Sequence, residues 1–472
     1  MNLQANPERS FSRRAALKAT GCGFGYLAFA GIAAAERSRT ASDPLAAKAP
    51  HFPARAKRVI FLCMAGGPSH VDTFDYKPKL TADSGKTAPI RGRFGAKLLG
   101  SPWKFSQHGQ SGLWLSELFP ELAKHADELC LLNGMHTNLP AHPQAFLQLH
   151  TGSFQFVRPS LGAWVLYGLG TENQNLPGFV SLNPPSIYGG AQNYGSAFLP
   201  AIYQGTKIGN ETGFFAGRFN RGGSTMKVAN ITNPKLGRDS QRAQLDFIQT
   251  LNREHLEKDG VNPQIEGVIQ SYELAFRMQT DLPKLLDLSS ESKASLELYG
   301  VGEAATDTFG RQCLLARRMV EAGVRFVELS YGNWDQHRNL RADLHRHATA
   351  IDKPIAGLLS DLKRRGMLHD TLIVWSGEFG RTPYAQGDDG RDHNNKGYTA
   401  FLAGGGVKGG LAYGRTDDYG SEAVEGKVHV HDLHATLLHL LGLDHEKLTF
   451  NYAGRDFRLT DVHGNVVKEI LT

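Results

Sequence analysis

The run Thr371-Leu372-Ile373-Val374-Trp375, broken at once by Ser376-Gly377-Glu378-Phe379-Gly380-Arg381, constrains this chain most. A short apolar run rich in β-branched residues reads as a strand buried on both faces, and Ser-Gly ends it in a polar loop. Strands of that kind belong to parallel sheets covered by helices. A second segment repeats the pattern, with Arg325 to Ser330 running into Tyr331-Gly332-Asn333-Trp334-Asp335-Gln336-His337. In open α/β sheets ligands bind beyond the carboxyl ends of strands, where strand ends and helix starts leave a crevice. These two strand ends deliver Asp335, His337 and Glu378, with Arg381 and His393 close behind. Carboxylate oxygens and imidazole nitrogens suit zinc, manganese or a similar divalent ion.

The rest of the chain keeps the same rhythm. Arg58 to Met64 is a strand, and Ala65-Gly66-Gly67-Pro68-Ser69-His70-Val71-Asp72 is the loop at its carboxyl end. Ser116 to Asp127 has a helical apolar period, Leu129 to Leu132 reads as a strand, and Pro143 predicts a helix running to His150. Asp307 to Ala322 and Leu340 to Arg365 are helical, each leading into a site-bearing strand. Val428 to Leu443 reads as a strand entering a helix, and Tyr452 to Thr472 as a short β-like tail. The expected fold is α/β, a mostly parallel central sheet with helices on both faces. Residues 183–235 are too long and too rich in Gly, Asn, Ser and Tyr for an ordinary connection, and are expected to form a wall or lid. Together with the helical stretch that follows, 183–290 is read as an insertion or cap region.

Charge excludes one class of partner. Of 52 basic and 46 acidic residues, four basic and one acidic fall in residues 1–35, leaving 48 against 45, which gives no electrostatic footprint for nucleic acid. Residues 1–35 read as an address: Ser12-Arg13-Arg14-Ala15-Ala16-Leu17-Lys18, a glycine-diluted apolar stretch, then Ala33-Ala34-Ala35. This resembles a twin-arginine export signal, which implies export to the periplasm or cell envelope and no membrane span after cleavage. Residues 36–56 are read as a tether and 57–472 as the domain. Cys63, Cys130 and Cys313 are odd in number and widely spaced, which points to buried free thiols.

Several motifs resemble one family. Gly66 to Asp75 (Gly-Gly-Pro-Ser-His-Val-Asp-Thr-Phe-Asp), Trp334 to His337, Gly377 to Pro383, Gly390 to Asn394 and Ala403 to Gly410 are similar to the exported bacterial domain-of-unknown-function family 1501. Thr371 to Gly380, Asp432 to Leu438 and the segment ending Leu149-His150-Thr151-Gly152 resemble the wider alkaline-phosphatase and sulfatase superfamily. The resemblance implies an alkaline-phosphatase-like three-layer sandwich and one or two divalent ions, zinc, manganese or calcium. It implies Asp335, His337, Glu378 and His393 as ligands, with Asp72 standing in for an aspartate missing after the first strand. Phe379 replaces a further ligand, and the nucleophile position falls at His142, where no Ser, Thr or Cys stands.

The expected function is an exported metal-dependent hydrolase of phosphate or sulfate esters, acting on an anionic small molecule or glycan ester with a metal-activated water. His142 would sit beside the reacting centre and Arg381 on the anion. The alternative is a non-catalytic ligand-binding protein on the same fold, which Phe379 and His142 favour. Other signals keep two readings: Asp72 caps a turn or serves the site, Arg381 holds an anion or pairs with a carboxylate such as Asp388, and His136 and His142 are ligands or contact substrate. Of His429, His431, His434, His439 and His445, the three at 431, 434 and 439 share no tidy helical face, and the stretch reads as a partly exposed helix rather than a second metal site.

Overall fold

Arg58–Met64 (β1) is buried at every position after its first, which is why its sequence is apolar without alternation. The computed structural model describes residues 44–87, 95–209, 226, 228, 231–259 and 262–472. The export-signal reading of residues 1–35 and the first part of the tether lie outside them. In chain order the remaining strands used below are Leu129–His136 (β2), Phe179–Leu182 (β3), Thr206–Ile208 (β4), Phe326–Tyr331 (β5), Thr371–Ser376 (β6), Gly380–Ala385 (β7), Arg391–Asn394 (β8), Tyr398–Ala403 (β9), Leu411–Tyr413 (β10) and Val428–His429 (β11). The helices are His142–Thr151 (α1), Leu161–Leu169 (α2), Arg238–Asp259 (α3), Pro263–Leu286 (α4), Asp307–Glu321 (α5), Leu340–Arg364 (α6) and Val430–Leu440 (α7).

The central sheet runs β10-β2-β9-β6-β1-β5-β3-β4, with β11 also on β2. β1 pairs in parallel with β5 and β6, and β3 in parallel with β5 and β4. Only β9 is antiparallel, wedged between β6 and β2. Its ring Phe401 stacks on Trp375 at 5.3 Å and 3°, and Phe74 meets both edge-on, so aromatic contact locks this reversed strand.

Strand parity shows both faces covered. Phe61 and Phe326 share a face, where Phe61 meets His150 of α1, and Phe326 meets Phe179 under α2. Tyr331 belongs to the other face, where it meets Phe309 of α5 and His347 of α6. The sheet is therefore the middle of three layers.

Four sequence expectations change. Residues 45–56 pack on the domain: Leu45 is buried and its carbonyl accepts the Thr171 N–H at 2.9 Å, while the Arg55 N–H donates to the Leu440 carbonyl at 2.9 Å. A tether does not bury a leucine. The helix expected over Ser116 to Asp127 is only a 3-10 turn, Leu122–Glu128, because Ser116 ends a hairpin strand and Pro120 cannot donate. The 183–290 region is not all insertion, since β4 extends the main sheet; α3 and α4 pair beside it through Arg242 and Glu273 at 2.8 Å. The tail is β-like only at its two ends, where Phe450–Tyr452 pairs with Arg455–Phe457 and Leu471 bridges Val407. Cys63, Cys130 and Cys313 are free and buried. Among the described residues no helix is long and apolar enough to cross a membrane.

Candidate metal centre

The centre forms where β1, β5 and β6 end together. Gly66 (φ +115°) and Gly67 (φ +75°) turn the chain sharply after β1, in conformations a side chain resists. A Cβ on Gly66 would stand 2.7 Å from the Trp334 nitrogen and 2.8 Å from that of Asp335, so only glycine lets these loops touch. That contact places Asp335. The hairpin of β7 and β8 then sets His393 opposite Arg381 in register and carries both over the strand ends.

Three imidazoles converge on one carboxylate oxygen. Asp335 Oδ1 lies 2.9 Å from His337 Nε2, 3.2 Å from His393 Nε2 and 3.2 Å from His142 Nε2. The far nitrogens fix the tautomers. His393 Nδ1–H donates to the Pro140 carbonyl at 2.6 Å, His337 Nδ1–H to Gln386 Oε1 at 2.5 Å, and His142 Nδ1–H to Glu378 Oε1 at 2.6 Å. In its neutral form each ring therefore points a lone pair inward, and His142, with a pKa of about 9, has a proton to release before its Nε2 can do so. His337 and His393 present theirs to each other at 2.9 Å, and buried His142 Nε2 makes no aligned hydrogen bond. Facing lone pairs repel unless a proton or a cation lies among them. Three imidazole nitrogens and a carboxylate fit a divalent ion, and fit zinc better than calcium, which takes oxygen ligands.

Charge is balanced locally. Burial alone would lower the His142 pKa, but Asp335 and Glu378 on either side hold it up to about 9. Burial opposes ionisation of Asp335, yet His142, His393 and Arg381 hold it well below the usual carboxylate range. Asp335 remains a charged donor at any physiological pH.

The sequence-predicted residues divide on this geometry. Asp335, His337 and His393 come together, and His142 joins them as a fourth donor. Glu378, expected as a ligand, does not face the cluster with a spare oxygen: its two oxygens accept the Gly66 N–H at 3.0 and 3.1 Å, and one also takes His142 Nδ1–H. It orients His142 from behind, as carboxylates do for metal-binding histidines. Asp72, expected as a substitute ligand, is fully buried and held by Arg391 at 2.7 and 3.0 Å and by the Ser69 hydroxyl at 2.5 Å, which leaves nothing for an ion. Arg381, expected on a substrate anion, is fully buried. It donates to Asp335 Oδ1 at 2.6 Å and to the carbonyls of Gly66, Gly67 and Trp334, so it pairs with Asp335 and not with Asp388. His142 is not a free nucleophile, because Nδ1–H is held by Glu378 and Nε2 faces Asp335 Oδ1 at 3.2 Å. Of two ions, the geometry fits one: the candidate sets His142, Asp335, His393 and His337, Asp392, His393 share His393, whose single inward lone pair serves one ion.

The profile of the family described as "Protein of unknown function (DUF1501)" matches residues 56–471. The chain belongs to that family. Among solved structures it is similar to the PsFucS1 sulfatase from Pseudoalteromonas sp. (14% identity, 83% of this chain and 69% of that one, TM-score 0.36). It is also similar to the phosphonate monoester hydrolase SpPMH from Silicibacter pomeroyi (11%, 82% and 73%, TM-score 0.34) and to TAB5 alkaline phosphatase (10%, 83% and 99%, TM-score 0.34). No curated protein matches.

Four residues around the centre of this DUF1501 chain escape sequence reasoning. Asp392 belongs to the second candidate set, Gln386 fixes His337, Tyr188 stacks on His142 at 4.9 Å, and Arg391 anchors Asp72. Asp392 stood visible beside His393; the others carry no metal-ligand signature. Tyr188, at φ +60°, comes from the segment expected to wall the site and does so. Phe379 is buried against His142 and His393 at 4.8 and 4.7 Å, an apolar wall where a further ligand was missed.

Proposed function

We propose that this protein is an exported hydrolase of phosphate or sulfate esters that works with one divalent ion, held by His142, His337, His393 and Asp335. The observation that carries the metal reading is the pair of inward lone pairs on His337 and His393, fixed by acceptors behind them. The ester class is supported by the resemblance of the Asp335, His337 and His393 motifs to phosphatase and sulfatase ligand loops. Export rests on Ser12 to Lys18 and the apolar stretch behind it.

When bound, such an ion polarises a phosphoryl or sulfuryl oxygen and makes a water acidic enough to attack. The chain's own residues do the rest. Glu378 keeps His142 in the tautomer that points Nε2 inward, and Arg381 offsets the Asp335 charge from the protein side. Phe379 and Tyr188 exclude water from the His142 side, whereas the His337 side chain is 33% exposed and leaves substrate one face of approach. With no hydroxyl or thiol at the start of α1, direct attack by water needs no covalent intermediate on the protein.

The test is elemental mass spectrometry on the full chain prepared without chelator. About one zinc or manganese per chain, lost in a His337→Ala, His393→Ala variant, is the expected result. No metal in the native protein and none taken up on titration would end the hydrolase reading. Metal bound without turnover of any phosphate or sulfate ester would leave the binding-protein reading, which the buried Arg381 favours by offering substrate no cation.

A further inference from the structure

A second concavity lies between the end of α1 and the start of α7, closed by the tail hairpin. Its volume is about 790 Å³, ample for a small ligand, and it contains none of the candidate metal ligands. Three arginines line it, in unequal situations. Arg455 pairs with Asp461 at 2.6 Å and Arg458 with Glu446 at 3.3 Å. Arg158 has no carboxylate within ion-pair distance among the described residues. Its guanidinium lies 4.4 Å from the ring centre of Phe457 and 5.1 Å from that of Phe156, which orients the planar fork without consuming its donors. The third carboxylate of the lining, Asp432, accepts the His429 and Asn465 N–H groups at 2.8 and 2.7 Å, so Arg158 is the one cleft arginine that no carboxylate holds, presented by stacking.

Its floor is polar and incompletely satisfied. Trp164 and His431, 1% and 6% exposed, line the cleft, and among the described residues Trp164 Nε1–H and His431 Nδ1 have no hydrogen-bond partner. His431 Nε2–H donates to the Gly152 carbonyl at 2.8 Å, so Nδ1 is an acceptor. One orphan donor and one orphan acceptor suit hydroxyl groups, which can serve both. At the mouth the Phe156 side chain is 61% exposed, which leaves a ring face free for stacking.

We propose that this cleft binds an anionic monosaccharide unit, with its charge on Arg158, its ring against Phe156 and its hydroxyls on Trp164 and His431. Asn138 borders the cleft and Pro140, two residues on, holds His393, so the occupant would lie across one short loop from the metal centre. The site does not depend on the metal.

Isothermal titration of the full chain with glucose 6-sulfate and with glucuronate tests this, with glucose and inorganic sulfate as controls. The expected result is binding of both acidic sugars that is weakened about tenfold or more in Arg158→Gln. Arg158→Lys should lose affinity too, since an ammonium lacks the stacked fork, and Phe156→Ala should weaken binding several-fold. His393→Ala should leave binding intact, which separates this site from any failure at the metal centre. Undiminished binding in Arg158→Gln, loss in His393→Ala, inorganic sulfate binding as tightly as the sugars, or no binding by the native chain would each overturn the proposal. Phe156 is largely exposed and Arg158 unpaired, so both variants are expected to fold, as circular dichroism would verify.

Discussion

At the scale of single residues, the two carboxylates expected from sequence as ligands, which the structure pairs with other groups, make opposite predictions. Glu378→Gln keeps an acceptor for the Gly66 N–H but removes the charge behind His142. Metal affinity should fall about 10- to 100-fold with little loss of fold, read by competition with a chelating dye. Asp72→Asn breaks a fully buried pair with Arg391 and should cost about 3–5 kcal/mol of stability by urea titration while leaving one metal per chain. Metal loss in Asp72→Asn at a temperature where it stays folded would restore Asp72 as a ligand. Asp335, His337 and His393 were legible because each follows a recognisable strand or glycine turn. The pairing of Glu378 and Asp72 was not legible, because their partners, Gly66 and Arg391, come from across the chain. A carboxylate's chemistry shows in sequence; which group claims it does not.

At the scale of elements, the parallel strands β1, β5 and β6 were readable from apolar runs buried on both faces. The reversal of β9 was not, because direction leaves no mark on composition and is fixed by the Phe401 and Trp375 stack. Elements also explain why the centre tolerates little change at a residue that binds nothing. In Gly66→Ala the new methyl meets the backbone of Trp334 and Asp335 at 2.7 and 2.8 Å, neither able to swing aside as a side chain could. The strained φ adds about 1–3 kcal/mol. Asp335 should move, so Gly66→Ala should lose metal in elemental analysis while retaining far-ultraviolet circular dichroism. Full metal occupancy would show that the β1 loop does not position Asp335.

At the scale of the whole molecule, stability should depend on pH through histidines that are not among the candidate metal ligands. His347 is buried beside Arg346, and His434 is buried with one nitrogen on the Leu149 carbonyl and the other without a partner. Burial pushes both pKa values down to about 3, while the unfolded chain titrates near 6.5. Above pH 6.5 the rings are neutral in both states and contribute nothing to the slope. Below it the unfolded chain takes up protons that the folded chain refuses, so stability falls with pH until about 3. At pH 5 the loss is about 2 kcal/mol per ring, or about 4 for the pair, comparable with the whole stability of a marginal domain. Asp352 works in the opposite sense. Burial holds its pKa up to about 6, so the folded state gains its proton first and recovers about 1 kcal/mol between pH 6 and 5. Urea midpoints at pH 7 and pH 5 should therefore differ by a net loss at the acid value, and a His347→Phe, His434→Gln variant should flatten that difference. An unchanged difference in the variant would mean that the acid sensitivity arises elsewhere, with the buried carboxylate pairs as the remaining source.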